Sequence, residues 1–236
     1  MNSTRSLATP RKRKDPLGDI KSEPSPLFLF WFRYYVKLLF YRRFDRVWLN
    51  QNYLPGKDRS TIYFLNHNSW WDGIIPLLLN EFHFRQHAGA IMDEEQIRKH
   101  PFFRKLGAYP IDRSTPGKAV KSLQFTVDFL NQKGKSVFIY PQGKLVDSNE
   151  PVIFESGLSW LSKHCEGVDF VPVALHQHTY YSDKPSLFIK TGKPVVIDLS
   201  LPKIARNRLF EQTLIDLLTQ IRNESFKQDH DYERIV

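Results

Sequence analysis

Short apolar runs alternate along this chain with segments whose apolar residues recur every three or four positions. "TIYFL" (61–65), "AGAIM" (88–92), "GAYPI" (107–111), "SVFIY" (136–140) and "VDFVPVAL" (168–175) read as buried strands. "SLFIKTGKPVVIDL" (186–199) predicts further strand. Between them, "WWDGIIPLLLN" (70–80) predicts a helix start made irregular by Pro76. Val120, Leu123, Val127 and Leu130 fall at helical spacing within 117–131, and "GLSWLSKH" (157–164) predicts a short helix. Ile204, Phe210, Leu214, Leu217, Leu218 and Ile221 mark one amphipathic helix over 204–226. Strands alternating with helices imply an α/β domain, with a central, largely parallel mixed sheet flanked by helices.

The front of the chain follows different rules. Residues 1–25 lack apolar periodicity, are rich in Ser, Pro and charge, and read as a disordered basic tail. Residues 26–48 open with "PLFLFWFRYYVKLLFYRRF", in which Arg33 and Lys37 share one helix face and aromatics cover most of the rest. The segment is interrupted by charge and too short to span a bilayer comfortably. It reads as an amphipathic helix at a membrane interface, and packing on the domain is compatible with that. The catalytic-type domain is placed at 49–236.

Charge sharpens this picture. The net charge is +9, but residues 1–48 carry 11 Lys and Arg against 4 Asp and Glu, and the remainder carries 23 against 21. A basic front end on a nearly neutral body fits an anionic membrane surface, not a nucleic acid. One cysteine, Cys165, excludes a disulfide framework and suggests a reducing compartment. Together these place the chain as a peripheral membrane protein on the cytoplasmic face.

The chemistry concentrates in "NHNSWWD" (66–72), directly after the first strand. Sites in such sheets collect beyond the C-terminal strand ends. His67 is suited to general-base work near neutral pH, and Asp72 to holding its ring. The plain alternative is that Ser69 and Asp72 form a helix-capping box. His83 and His87 lie four apart but lack an acidic partner, and no metal site is expected. His176 and His178 share one strand face and could line the site or sit in the core.

Four blocks in order resemble the glycerolipid acyltransferase family over roughly residues 55–200. Asn66, His67 and Asp72 match its N-H-x4-D block; Gly107, Ile111, Asp112 and Arg113 match its second block. "YPQGKLV" (140–146) stands where the third usually reads F-P-E-G-T-R-S, and Val171, Pro172 and Val173 match the fourth. The resemblance implies transfer of a fatty acyl group from acyl-CoA or acyl-carrier protein to a lipid hydroxyl, without cofactor or metal. His67 and Asp72 would be catalytic, and backbone N–H groups around Gly143 would meet the oxyanion. Asn66, Arg113, Tyr140, Pro141, Gln142, Gly143 and Lys144 would bind substrate. Arg113 would hold the acceptor's phosphate, unless it serves as a structural ion pair. The departures are Gln142 for the family Glu, Leu145 for an Arg, and Glu155 for a Lys. They weaken the site for a dianionic phosphate and admit another lysolipid or a glycolipid as acceptor. An inactive peripheral lipid-binding protein on the same fold is the alternative reading.

Overall fold

A computed structural model describes residues 22–180, 182–227 and 230–236. Most of the basic tail, residues 1–21, lies outside the described residues. The strands are β1 (Val47–Gln51), β2 (Ser60–Leu65), β3 (His87–Asp93), β4 (Ala108–Ile111), β5 (Lys135–Ile139), β6 (Val168–His178), β7 (Ser186–Thr191) and β8 (Glu233–Arg234). They form one sheet in the order β4-β3-β5-β2-β6-β7-β1-β8. From β4 through β6 all neighbours run parallel, and β6 with β7 and β1 with β8 are antiparallel.

The helices are α1 (Pro26–Arg43), α2 (Ile75–Leu79), α3 (Glu94–Lys99), α4 (Phe102–Lys105), α5 (Pro116–Leu130), α6 (Gly157–His164) and α7 (Lys203–Ser225). The sheet separates two cores. Ile62 and Phe64 of β2 face α5, α6 and α7, with Leu123, Leu158 and Phe210. Tyr63 and Leu65 face the opposite side, with Val36, Phe40, Ile75, Leu78 and Phe103 from α1 to α4. Every residue of β2 is therefore buried, which is why it reads as a continuous apolar run. β4 lies at the sheet edge, where the missing N–H of Pro110 is tolerated.

Several expectations need adjustment. Trp70–Ile74 forms a 3-10 turn before α2, and Asn80–Phe84 a π-helical turn after it, so "WWDGIIPLLLN" is three short pieces. Pro76 sits in the first turn of α2, where its missing N–H is harmless. Only the first half of 186–199 is strand; beyond Gly192 the chain is irregular, and Val196 is fully exposed. The pattern gave no sign of α3, α4 or β1. β1 pairs with β7, so Val47 and Trp48 belong to the sheet.

α1 begins with Ser25, whose Oγ accepts from the Phe28 N–H, and with Pro26 at its first position. Val36 and Phe40 are fully buried. Phe40 and Phe44 pack edge-on against Trp71, 5.8 and 5.7 Å between centroids. Leu27, Phe30, Trp31, Tyr34, Tyr35, Leu38 and Tyr41 stay exposed. No helix among the described residues is long and apolar enough to cross a membrane. Phe40→Ala should cost about 3 kcal/mol through the lost burial and the cavity left behind. Urea unfolding would read this as a lowered midpoint, and an unchanged midpoint would mean that α1 is not docked in solution.

Candidate active site

The parallel strands β2, β3, β4 and β5 all end at one edge of the sheet, and the motif residues follow those ends. Asn66–Asp72 follows β2, Asp93 closes β3, Asp112 and Arg113 follow β4, and Tyr140–Lys144 follows β5. The strand order, not proximity in sequence, gathers them.

Asp72 is buried, 1 % exposed, at the centre. Its Oδ2 accepts from the backbone N–H of Asn68 (2.7 Å) and Ser69 (2.8 Å), and Oδ1 accepts from the Ser69 hydroxyl (2.7 Å). The same Oδ2 lies 3.4 Å from His67 Nδ1. The bond from the Ser69 N–H is the acidic half of a capping box. Asp72 thus starts the 3-10 turn and faces the imidazole at once, so the capping and catalytic readings describe one carboxylate. A proton on Nδ1 directed at Asp72 leaves Nε2 as the basic nitrogen, and Nε2 has no hydrogen-bond partner among the described residues. The side chain of His67 is about one-fifth exposed (21 %).

The loop after β5 is laced to this turn. Gln142 Oε1 accepts from the His67 N–H (2.8 Å), the Val146 N–H donates to the His67 carbonyl (2.9 Å), and Asn68 Nδ2 donates to the Val146 carbonyl (2.7 Å). The donor at His67 fixes the orientation of the Gln142 amide, because a flip would oppose two N–H groups. Nε2 of Gln142 is then buried without a partner. Tyr140 lies against the imidazole, centroids 4.4 Å apart, and its hydroxyl donates to the Asp72 carbonyl. Burial, then the Asp72 charge, raises its phenol well above the usual range.

The remaining motif residues fall into two groups. Asn66 is buried and clasps β6: its Oδ1 accepts from the Leu175 N–H (2.8 Å) and its Nδ2 donates to the Leu175 carbonyl (2.9 Å). It extends the ladder past the end of β2, with both amide ends engaged. Pro141 is buried, and its carbonyl accepts from the Glu155 N–H (2.8 Å). Gly107, at φ +92°, lies where a Cβ would meet the Ala88 carbonyl at 2.8 Å, which makes this motif glycine a packing requirement. The Gly143 N–H donates to the Tyr140 carbonyl (3.0 Å), so it is not free for an oxyanion. Arg113 Nη2 bonds Asp93 (2.8 Å) and Nη1 bonds Glu155 (2.9 Å). The Asp93 bond is the leading reason that its guanidinium is held further above its ordinary range. Lys144 is exposed, with no ion pair among the described residues.

Other candidates move away from the centre. His178 stacks between Phe188 and Phe226, at 5.2 and 5.1 Å, on the α7 side of the sheet. Burial lowers the pKa of His176 to about 4. Gln177, between them, faces the other way and donates to Ser69 Oγ (3.1 Å), a partner that motif reasoning missed. Alternation along β6 from Leu175, which meets Asn66, would have pointed to it. His83 lies in the turn after α2 and His87 begins β3, so they share no helix face. Among the described residues, no cluster of three or more metal-ligating side chains occurs.

A model of the family described as Acyltransferase matches residues 48–176, over half of the chain, from β2 through most of β6. The chain belongs to the acyltransferase family. This acyltransferase also resembles a solved structure, the 1-acyl-sn-glycerophosphate (LPA) acyltransferase PlsC from Thermotoga maritima. The TM-score is 0.57 at 19% identity, over 84% of this chain and 81% of that one. At that identity the likeness speaks for the fold. No curated protein sequence matches the chain.

The two sets of contacts made by Asp72 separate two substitutions. Asp72→Asn keeps an oxygen for the Asn68 and Ser69 N–H groups but removes the charge facing His67. It should leave the thermal midpoint within a few degrees and lower kcat by about 10³-fold. Asp72→Ala should lower both kcat and the midpoint. Equal activity of Asp72→Asn and the parent would exclude a catalytic part for the carboxylate.

Proposed function

We propose that this acyltransferase moves a fatty acyl group from an acyl thioester, acyl-CoA or acyl-carrier protein, to a lipid hydroxyl, with His67 as general base. The observation that carries this reading is the His67 ring. Its Nδ1 faces the buried Asp72 carboxylate, and its Nε2 has no partner among the described residues, at the C-terminal end of β2. The acceptor O–H gives its proton to Nε2 as its oxygen bonds to the thioester carbonyl carbon. The tetrahedral intermediate then breaks its C–S bond, and the imidazolium returns the proton to the departing thiolate. Asp72 stabilises the imidazolium and holds the ring in the reactive tautomer. With the Gly143 N–H engaged, the Lys144 N–H, which has no partner among the described residues, is a backbone donor left for the oxyanion.

Two features support a lipid substrate. A largely apolar cavity of about 150 Å³ opens beside Gly73, next to Asp72, between α2 and β3. Leu29, Ile74, Leu77, Met92, Leu106 and Phe138 line it, a surface suited to an acyl chain. α1 presents its exposed aromatics together with Arg42 and Arg43 in its last turn. That combination suits peripheral binding to an anionic membrane from the cytoplasmic side, with Trp71 joining the bound helix to the catalytic turn.

Thiol release from acyl-CoA, followed with a lipid acceptor, tests the reaction. Release should require an acceptor, and His67→Ala should lower it by at least about 10³-fold. Release that persists in the variant would move the base elsewhere. Absence of release from both thioesters would favour a lipid-binding protein. Flotation with anionic vesicles tests the surface: binding should fall as salt rises, whereas equal binding to neutral vesicles would remove the electrostatic part of the account.

A further inference from the structure

Arg113 is the one guanidinium among the motif residues gathered at the strand ends, and the fold surrounds it with carboxylates. Its two terminal nitrogens bond Asp93 at 2.8 Å and Glu155 at 2.9 Å, from the end of β3 and from the loop before α6. The pair with Glu155 lies directly on Gly143. An added Cβ there, at φ +70°, would come within 2.4 Å of Glu155 Oε1 and 2.5 Å of Arg113 Nη1. Gly143 in turn follows Gln142, which holds the His67 backbone. The acceptor side of the catalytic loop is therefore floored by an Asp–Arg–Glu cluster that carries one net negative charge.

The neighbouring cations do not reverse this. Lys118 is bonded to Asp112 at 3.0 Å. Lys144 brings one exposed ammonium, which balances the cluster to zero but offers a point charge and no fork. The buried Asp72 carboxylate, which faces the ring of the same His67 whose backbone Gln142 holds, supplies no cation either. A phosphate monoester entering this region brings up to two more negative charges to a site with no positive surplus. It must also compete with Glu155 for Arg113.

Resting on the acyl-transfer reading above, we infer that Glu155 sets the acceptor class, excluding a free phosphate monoester in favour of an uncharged headgroup bearing several hydroxyls. The chemistry is complementary. Carboxylate oxygens of Asp93 and Glu155 accept from hydroxyl donors, and the guanidinium N–H groups not engaged with them donate to hydroxyl oxygens. Ion pairs as exposed as these are individually weak, so the exclusion comes from the sign of the cluster, not from a locked bridge.

The test measures kcat/KM for thiol release from acyl-CoA by the full chain in neutral-detergent micelles, with lysophosphatidate, monoacylglycerol and an alkyl glucoside as acceptors. The parent should use an uncharged acceptor at least about tenfold better than lysophosphatidate. Glu155→Gln and Glu155→Lys, each checked for an unchanged melting midpoint, should raise use of lysophosphatidate relative to the uncharged acceptors by about fivefold or more. A structural loss would lower all acceptors together and leave that ratio where it was. Preference of the parent for lysophosphatidate, or a ratio unmoved by both variants, overturns the inference while leaving acyl transfer intact. Failure of every acceptor with both acyl-CoA and acyl-carrier protein overturns the acyl-transfer reading, and this inference with it.

Discussion

Asp72 carries a buried carboxylate that has to be satisfied, and the neighbourhood of the site is arranged by how that is done. Two backbone N–H groups, one hydroxyl and one imidazole converge on its two oxygens. A buried charge without such partners would be costly enough to unfold the turn. With them, the chain leaving β2 must curl tightly into the 3-10 turn, and that curl brings His67 back over Asp72. Removing one interaction therefore disturbs both a local structure and a chemical group.

The turn is held from three sides. From below, Asn66 stitches the end of β2 to β6. From the side, Gln142 and Val146 fix both backbone groups of His67. From outside, Trp71 links the turn to Phe40 and Phe44 at the end of α1. The third contact couples the turn that carries His67 and Asp72 to the helix with the exposed aromatic face. Gln142 is the least comfortable member. Its oxygen serves His67, but its amide nitrogen is buried without a partner, at a cost of about 1–3 kcal/mol.

The strands at the middle of the sheet were legible because they are buried on both faces, so "TIYFL" and "SVFIY" show as unbroken apolar runs. β1 was hidden: "VWLNQ" ends in two polar residues and follows an aromatic helix with little punctuation. "KPVVIDL" failed in the opposite sense, being apolar in sequence but irregular and partly exposed in the fold. Within the site, the pairing of His67 with Asp72 was visible because both lie on one turn. The clasp of Asn66 on Leu175, the contact of Gln177 with Ser69 and the closure of Glu155 on Arg113 join residues 42 to 109 positions apart. No periodicity reports such contacts. Only the substitution of an acid for an expected cation at 155 hinted at the last of them.

The most direct test of the account is the tautomer of His67, read by nitrogen-15 NMR on the free protein at a pH where the imidazole is neutral. The account predicts a proton on Nδ1, directed at Asp72, and a bare Nε2 ready to take the acceptor's proton. In Asp72→Asn the preference for that tautomer should weaken. A proton found on Nε2 in the parent would contradict the account, because the nitrogen meant to act as base would already be occupied.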